Sequence, residues 1–383
     1  MKAFIAVAAI LITLVYFPLT CSAESFSVPS GSEILDDLGG DSLDENLTDN
    51  AEEFLDEHNI SPDDPVNAVK MSPGDILSYI ADVFRDRLSA VPKLAGRLAA
   101  AVTVSAAATA MSKGVTDRSV ASVYGITASL ICVMIVMPSV GGCLDNCFLT
   151  LEQGGHFMIA YAPVFAAVSA AGGGITSSAL YSMAIIGAAQ LAVELSKSII
   201  QPLLSVMLAL GIAEGVNPDF AMSGFTACIK KFVTFAVSLT MTVFTALVSL
   251  QSFAGTSADT VAAKAVKLAA SNFIPVVGGA VSDAYGTVKA SFGVLRSGVG
   301  IFGIIAVCVM VLPPLVETAV FRMVLMLASA AASMFDCGPV KTFLSAADDV
   351  LALIFSVLMS FSIMFVVSTA VVLSAGIALA GGG

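Results

Sequence analysis

Between residues 94 and 379 apolar stretches follow one another with scarcely a charge inside them, and no water-soluble fold can hide so much of its chain. They run over 94–111, 120–140, 157–171, 175–193, 199–213, 232–250, 298–314, 317–335 and 350–379. Most come near the roughly 20 residues that one helix needs to cross a bilayer. The alternation of a membrane sheet is absent, which excludes a β-barrel. Three neighbouring pairs are each divided by one interruption: Gly172-Gly173-Gly174, residues 196–202, and Pro313-Pro314. Each pair reads either as two spans or as one broken element. The count therefore lies between six and nine, with seven the preferred reading. The fold class is all-α, a polytopic transmembrane helical bundle.

Composition agrees. Hydrophobic residues make up 57% of the chain and charged residues only 12%, against roughly 45–50% and 25% in soluble domains. The net charge of −12 belongs almost wholly to one end. Residues 24–75 carry 15 Asp or Glu against a single Lys70, while residues 76–383 carry 14 acids and 15 bases. Such an acidic block is normally a solvated, poorly ordered tail, with docking to a basic partner as the alternative. Nothing in the balance points to nucleic acid.

Residues 1–23 read as a cleavable secretory signal. Lys2 precedes an apolar core at 3–17, Pro18 breaks it, and Cys21-Ser22-Ala23 offers small residues before Glu24. Thr20 is a poor neighbour for lipidation of Cys21. The expected order is thus signal peptide 1–23, an acidic, flexible, extracytoplasmic segment 24–74, an amphipathic interfacial helix 75–93, and a multi-spanning domain 94–383. Lys113 and Arg118 place the 112–119 connection inside by the positive-inside rule. The polar stretch 141–156, which lacks Lys and Arg, is then an outside loop. Cys143 and Cys147 share that stretch, as two free thiols or as a disulfide.

Two groups of residues stand out. Residues 251–297 interrupt the apolar pattern, and a broken or re-entrant element near 258–297 is expected. Pro275 removes a backbone donor there, and Gly278 with Gly279 permits close helix approach. Irregular backbone at membrane depth survives only against protein or a watery cavity, which makes Asn272 and Asp283 candidate pore or assembly groups. An ordinary surface loop is the equal alternative. Gln190, Glu194, Lys197 and Gln201 recur at i, i+4, i+7 and i+11, a polar stripe that either faces the bundle interior or merely ends a span. Glu317 and Arg322 form a buried pair or mark a helix end.

Catalysis finds little support. His58 and His156 are the two histidines, and no HExxH, GxSxG or P-loop pattern occurs. The cysteines form no CxxC pair, so no metal or cofactor is expected. The chain reads as a non-enzyme.

The run at 272–283, NFIPVVGGAVSD, strongly resembles a motif of the stage III sporulation protein AE family of endospore-forming bacteria. Residues 173–180, GGITSSAL, and 298–303, GVGIFG, fit the same family, and the resemblance covers roughly residues 75–375. It implies a multi-pass subunit of the mother-cell membrane around the engulfed forespore, part of a channel or feeding-tube complex related to specialised secretion systems. The implied partners are other membrane proteins of the stage III complex and a forespore membrane protein across the intermembrane space, with the bilayer around it and self-association open. The rival reading is a stand-alone secondary transporter whose broken helices bind a small solute.

Overall fold

The computed structural model describes residues 43, 46–61, 65–113, 118–217, 222–273 and 278–380; the side chains of 118–122, 266–290 and 374–380, and of a few single positions, fall outside that description. The signal peptide and Glu24 therefore lie outside the described residues. In chain order the helices are α1 (Asp49–Glu57), α2 (Val66–Val69), α3 (Pro73–Lys113), α4 (Arg118–Ala171), α5 (Ile175–Leu195), a π-turn (Ser196–Ile200), α6 (Gln201–Val216), α7 (Ser223–Phe273), α8 (Gly278–Met334) and α9 (Gly338–Ala380). No strand occurs among the described residues. Six rods are long and apolar enough to cross a membrane, α5, the π-turn and α6 counting as one.

Six replaces the preferred seven because expected interruptions prove helical. The stretch 141–156, expected as a loop, lies in the middle of the 54-residue α4. Two of its polar side chains find partners on other helices, while Asp145 and His156 stay exposed. Asn146 donates to Glu317 at 3.1 Å, and Lys197 donates to Glu152. At 196–202 the π-turn carries the chain on, Gln201 N–H bonding Ser196 O five residues back, and Pro202 follows within the first turn of α6.

Pro313-Pro314 sits inside α8 without ending it. A proline at 313 leaves the carbonyl of Val309 without its i+4 donor, and Tyr79 of α3 supplies one, Oη to the Val309 oxygen at 3.4 Å. Thr318 donates to the Pro314 carbonyl at 2.7 Å. We expect Tyr79→Phe to cost about 1 kcal/mol, the worth of one such bond, read as a lowered melting temperature in detergent. An unchanged melt would show that the carbonyl needs no donor.

Gly172-Gly173-Gly174, by contrast, does end a helix. Gly173 takes φ 91°, a left-handed conformation that suits glycine. Gly174 N–H returns to Ser169 O at 3.0 Å and Gly173 N–H to Ala170 O at 2.9 Å, closing a Schellman motif. The same pattern ends α8, where Asp336 takes φ 60° and the amides of Asp336 and Cys337 bond Ser333 O and Ala332 O.

At the centre stands α8. The most apolar 18-residue window within Ser291–Met334 is 94% buried, so protein rather than lipid covers that stretch, while Met323, Met326, Leu327 and Met334 nearer its end are exposed. It packs against α9, α3, α4, α7 and the two short helices; α4 packs on α5, and α9 on α6.

The segment at 75–93 is no separate interfacial helix but the first half of α3, continuous with the apolar second half. Its apolar face, Tyr79, Ile80, Val83, Phe84 and Val91, packs on Leu312, Val316 and Val320 of α8. Part of the acidic segment, expected to be flexible, is also folded. Phe54, Leu55, Ile60, Ala68 and Met71 are buried in the common core, and the Phe54 ring lies 4.4 Å from that of Tyr79. The acids of α1 (Asp49, Glu52, Glu53, Asp56 and Glu57) stay on the exposed side.

The end of α3 lies beside the α8–α9 turn, where Thr109 meets Cys337 at 3.5 Å, and Ser129 of α4 donates to Gly215 O near the end of α6. The α4–α5 turn lies at the other end of α4. Between them runs a belt of ion pairs: Arg87–Glu317 at 3.4 Å, Arg322–Asp348 at 3.0 Å, Lys230–Asp349 at 2.6 Å, and Glu152–Lys197. Cys143 and Cys147 are free thiols one turn apart on α4, lying 3.3 Å and 3.2 Å from the Thr318 hydroxyl.

Candidate functional site: a buried polar cluster

The first amides of any helix lack intrahelical partners. For α5 that need is met from another rod. Asp259 of α7 is buried, and its two carboxylate oxygens accept the N–H groups of Thr176 and Ser177, each at 2.9 Å. A carboxylate at a helix N-terminus is also favoured by the helix dipole. One turn earlier on α7, a Cβ added to Gly255 would lie 2.6 Å from Ser177 Cα, so the two backbones touch.

Arg296 of α8 is buried as well, only 7% exposed. Its Nη2 donates to Val372 O of α9, while its Nε has no partner. Asp259, Tyr161 and Tyr181 act on its charge through space. Tyr161 donates to Val299 O at 3.0 Å, and the Tyr181 and Thr369 hydroxyls meet at 2.9 Å. An aromatic wall backs them: Phe157, Tyr161 and Phe165 stack along α4, and Tyr181 meets Phe165 edge-on at 5.0 Å. Gly303 makes room for the Tyr161 ring, since a Cβ there would fall 2.4 Å from it.

A guanidinium in an apolar bundle is costly unless its hydrogens and charge are answered, and ionisable groups inside membrane helices mark functional interiors. Here the answer is incomplete, and the buried Ser169 hydroxyl nearby also lacks a partner. The cluster ties α4, α5, α7, α8 and α9 together through one cation and one anion on neighbouring rods.

The residues singled out in sequence fall elsewhere. Gln190, Glu194 and Lys197 are exposed on the flank of α5 and the π-turn; Lys197 pairs with Glu152, and Glu194 accepts from Ser198. Glu317 and Arg322 do not pair with each other but with Arg87 and Asp348. Asn272 ends α7, and Gly278, Gly279 and Asp283 open α8, so this element straddles the α7–α8 junction; its side chains, with Pro275, lie outside the described residues. Sequence reading singled out none of Asp259, Tyr161, Tyr181 and Arg296. The available signal was one ionisable residue in each of two otherwise small or apolar helical runs.

Six apolar rods around a buried, incompletely satisfied cation define a polytopic membrane protein with a buried polar centre. Residues 63–376 match the profile of the stage III sporulation protein AE family (spore_III_AE), and the chain belongs to that family. It is 27% identical over 221 residues to stage III sporulation protein AE of Bacillus subtilis (strain 168). That match covers 57% of this chain and 55% of the relative, little more than half of each. No solved structure matches the chain. Two of the segments that resemble the family, 173–180 and 298–303, meet at the polar cluster: the first supplies the amides on Asp259, the second the backbone under Tyr161.

Proposed function

We propose that the chain is a non-catalytic membrane subunit of the channel complex that serves endospore formation, acting as a pore wall or assembly platform. Membership of a stage III sporulation family supports the process. The observation that carries the subunit role is the Asp259–Arg296 cluster. It joins five rods and draws on two of the segments that resemble the family, 173–180 and 298–303. In this reading the protein lies in the mother-cell membrane facing the forespore, the signal peptide is removed before Glu24, and the acidic segment is extracytoplasmic. Its partners are the other membrane proteins of the complex and a forespore membrane protein, with no cofactor of its own.

The test is purification from sporulating cells in mild detergent, comparing the unaltered protein with Gly279→Leu and Asp283→Ala. The unaltered chain should carry the partner membrane proteins with it and support heat-resistant spores. Both variants should insert at normal levels yet lose partners and spores. Full spore yield from both variants would refute a role for this junction, and a chain that purifies alone and transports a solute alone would refute the subunit reading.

A further inference from the structure

The belt of charged residues contains one place where cations outnumber their partners. A cavity of about 400 Å³ opens on the flank of the bundle between α3, α4 and α8. Arg87, Lys93 and Arg97 of α3 line it, with Glu317 as its acid and Leu94 and Phe321 among its apolar walls. Glu317 is already engaged by Arg87 at 3.4 Å and by Asn146 at 3.1 Å. Lys93 and Arg97, one turn apart and exposed, enter none of the described ion pairs. The cavity therefore carries two uncompensated positive charges above an apolar floor.

Its position in the chain matters as much as its charge. The first half of α3, with Asp82, Arg85, Asp86 and Arg87, is polar on its outer side; from Leu94 to the helix end the only charges are Arg97 and Lys113. Lys93 and Arg97 mark that change of character, as long basic side chains at the edge of an apolar stretch do. Basic pockets between membrane helices at this level suit lipid headgroups. A free anion would gain nothing from Leu94 and Phe321, whereas a phospholipid uses both halves of the site.

We infer that this cavity binds one anionic phospholipid, its phosphodiester held by Lys93 and Arg97 and its acyl chains lying on α3 and α8. The probe is full-length protein in nanodiscs of phosphatidylcholine mixed with spin-labelled phosphatidylglycerol or spin-labelled phosphatidylcholine, the immobilised fraction being read by electron paramagnetic resonance. The unaltered protein should hold phosphatidylglycerol selectively. The double variant Lys93→Gln/Arg97→Gln should reduce that preference by roughly thirtyfold, about 2 kcal/mol for two interfacial cations. Gly142→Phe leaves every charge in place but fills the cavity, since nothing lies within 4 Å of a Cβ at Gly142; it should abolish the immobilised signal. Lys231→Gln, on α7, should change nothing. Absence of selectivity in the unaltered protein, or its survival in both cavity variants, would overturn the site. Displacement by inorganic phosphate as effective as by added phosphatidylglycerol would overturn the lipid in favour of a free anion.

Discussion

Asp259→Ala is expected to be the most damaging single change in the membrane body. It removes both acceptors from the start of α5 and a negative charge that acts on Arg296. Breaking a buried charged arrangement on one side costs about 3–5 kcal/mol, because the surviving group is left unanswered. Asp259→Asn keeps one acceptor oxygen and should lose roughly half as much, charged acceptors being worth about 1.5–3 kcal/mol each. Thr176→Ala is the control, since Thr176 offers Asp259 its backbone N–H. Melting in detergent and counts of heat-resistant spores should rank the three in that order. An Asp259→Ala protein within about 1 kcal/mol of the original, a small difference on the usual scale for single changes, would show that α5 finds its donors' partners elsewhere.

The second large effect belongs to Gly303. A methyl group there would meet the Tyr161 ring at 2.4 Å, well inside contact distance. The ring cannot swing away freely, because it is wedged between Phe157 and Phe165 and tethered through its hydroxyl to Val299. Gly303→Ala should therefore cost about 1–3 kcal/mol through overpacking. Tyr161→Leu alone should also destabilise, by leaving a void. Combined, the two should cost less than their sum by about 1 kcal/mol or more, the signature of residues in direct contact. Strict additivity in a double-mutant cycle would mean that they do not touch.

Much of the fold was legible because lipid-exposed and protein-buried helices obey one compositional rule. The rule misleads where polar residues sit inside a rod. Asn146 and Glu152 looked like a loop because nothing in their neighbourhood announces Glu317 and Lys197 as partners, which lie 171 and 45 positions away. Pro313-Pro314 looked like a break because its remedy, Tyr79, stands 230 positions before the Val309 carbonyl it serves. Gly172-Gly173-Gly174 was readable because its turn is closed by bonds to residues only three to five positions back. The polar cluster was illegible for the first reason: Asp259 and Arg296 belong to separate helices, and only their apposition gives either a meaning.

The sheathing of α8 bears on how such a chain is made. This rod emerges from the ribosome next to last, after most of its future neighbours are already in place. In water an apolar rod of this length could not wait uncovered. Within a bilayer it can, because acyl chains solvate Leu and Val as well as other helices do. Lipid can therefore hold the slot open, leave as α8 enters, and yield finally to α9. The polar groups would be the exception to that patience, since Arg296 is at ease only after Val372, in the last helix, has arrived.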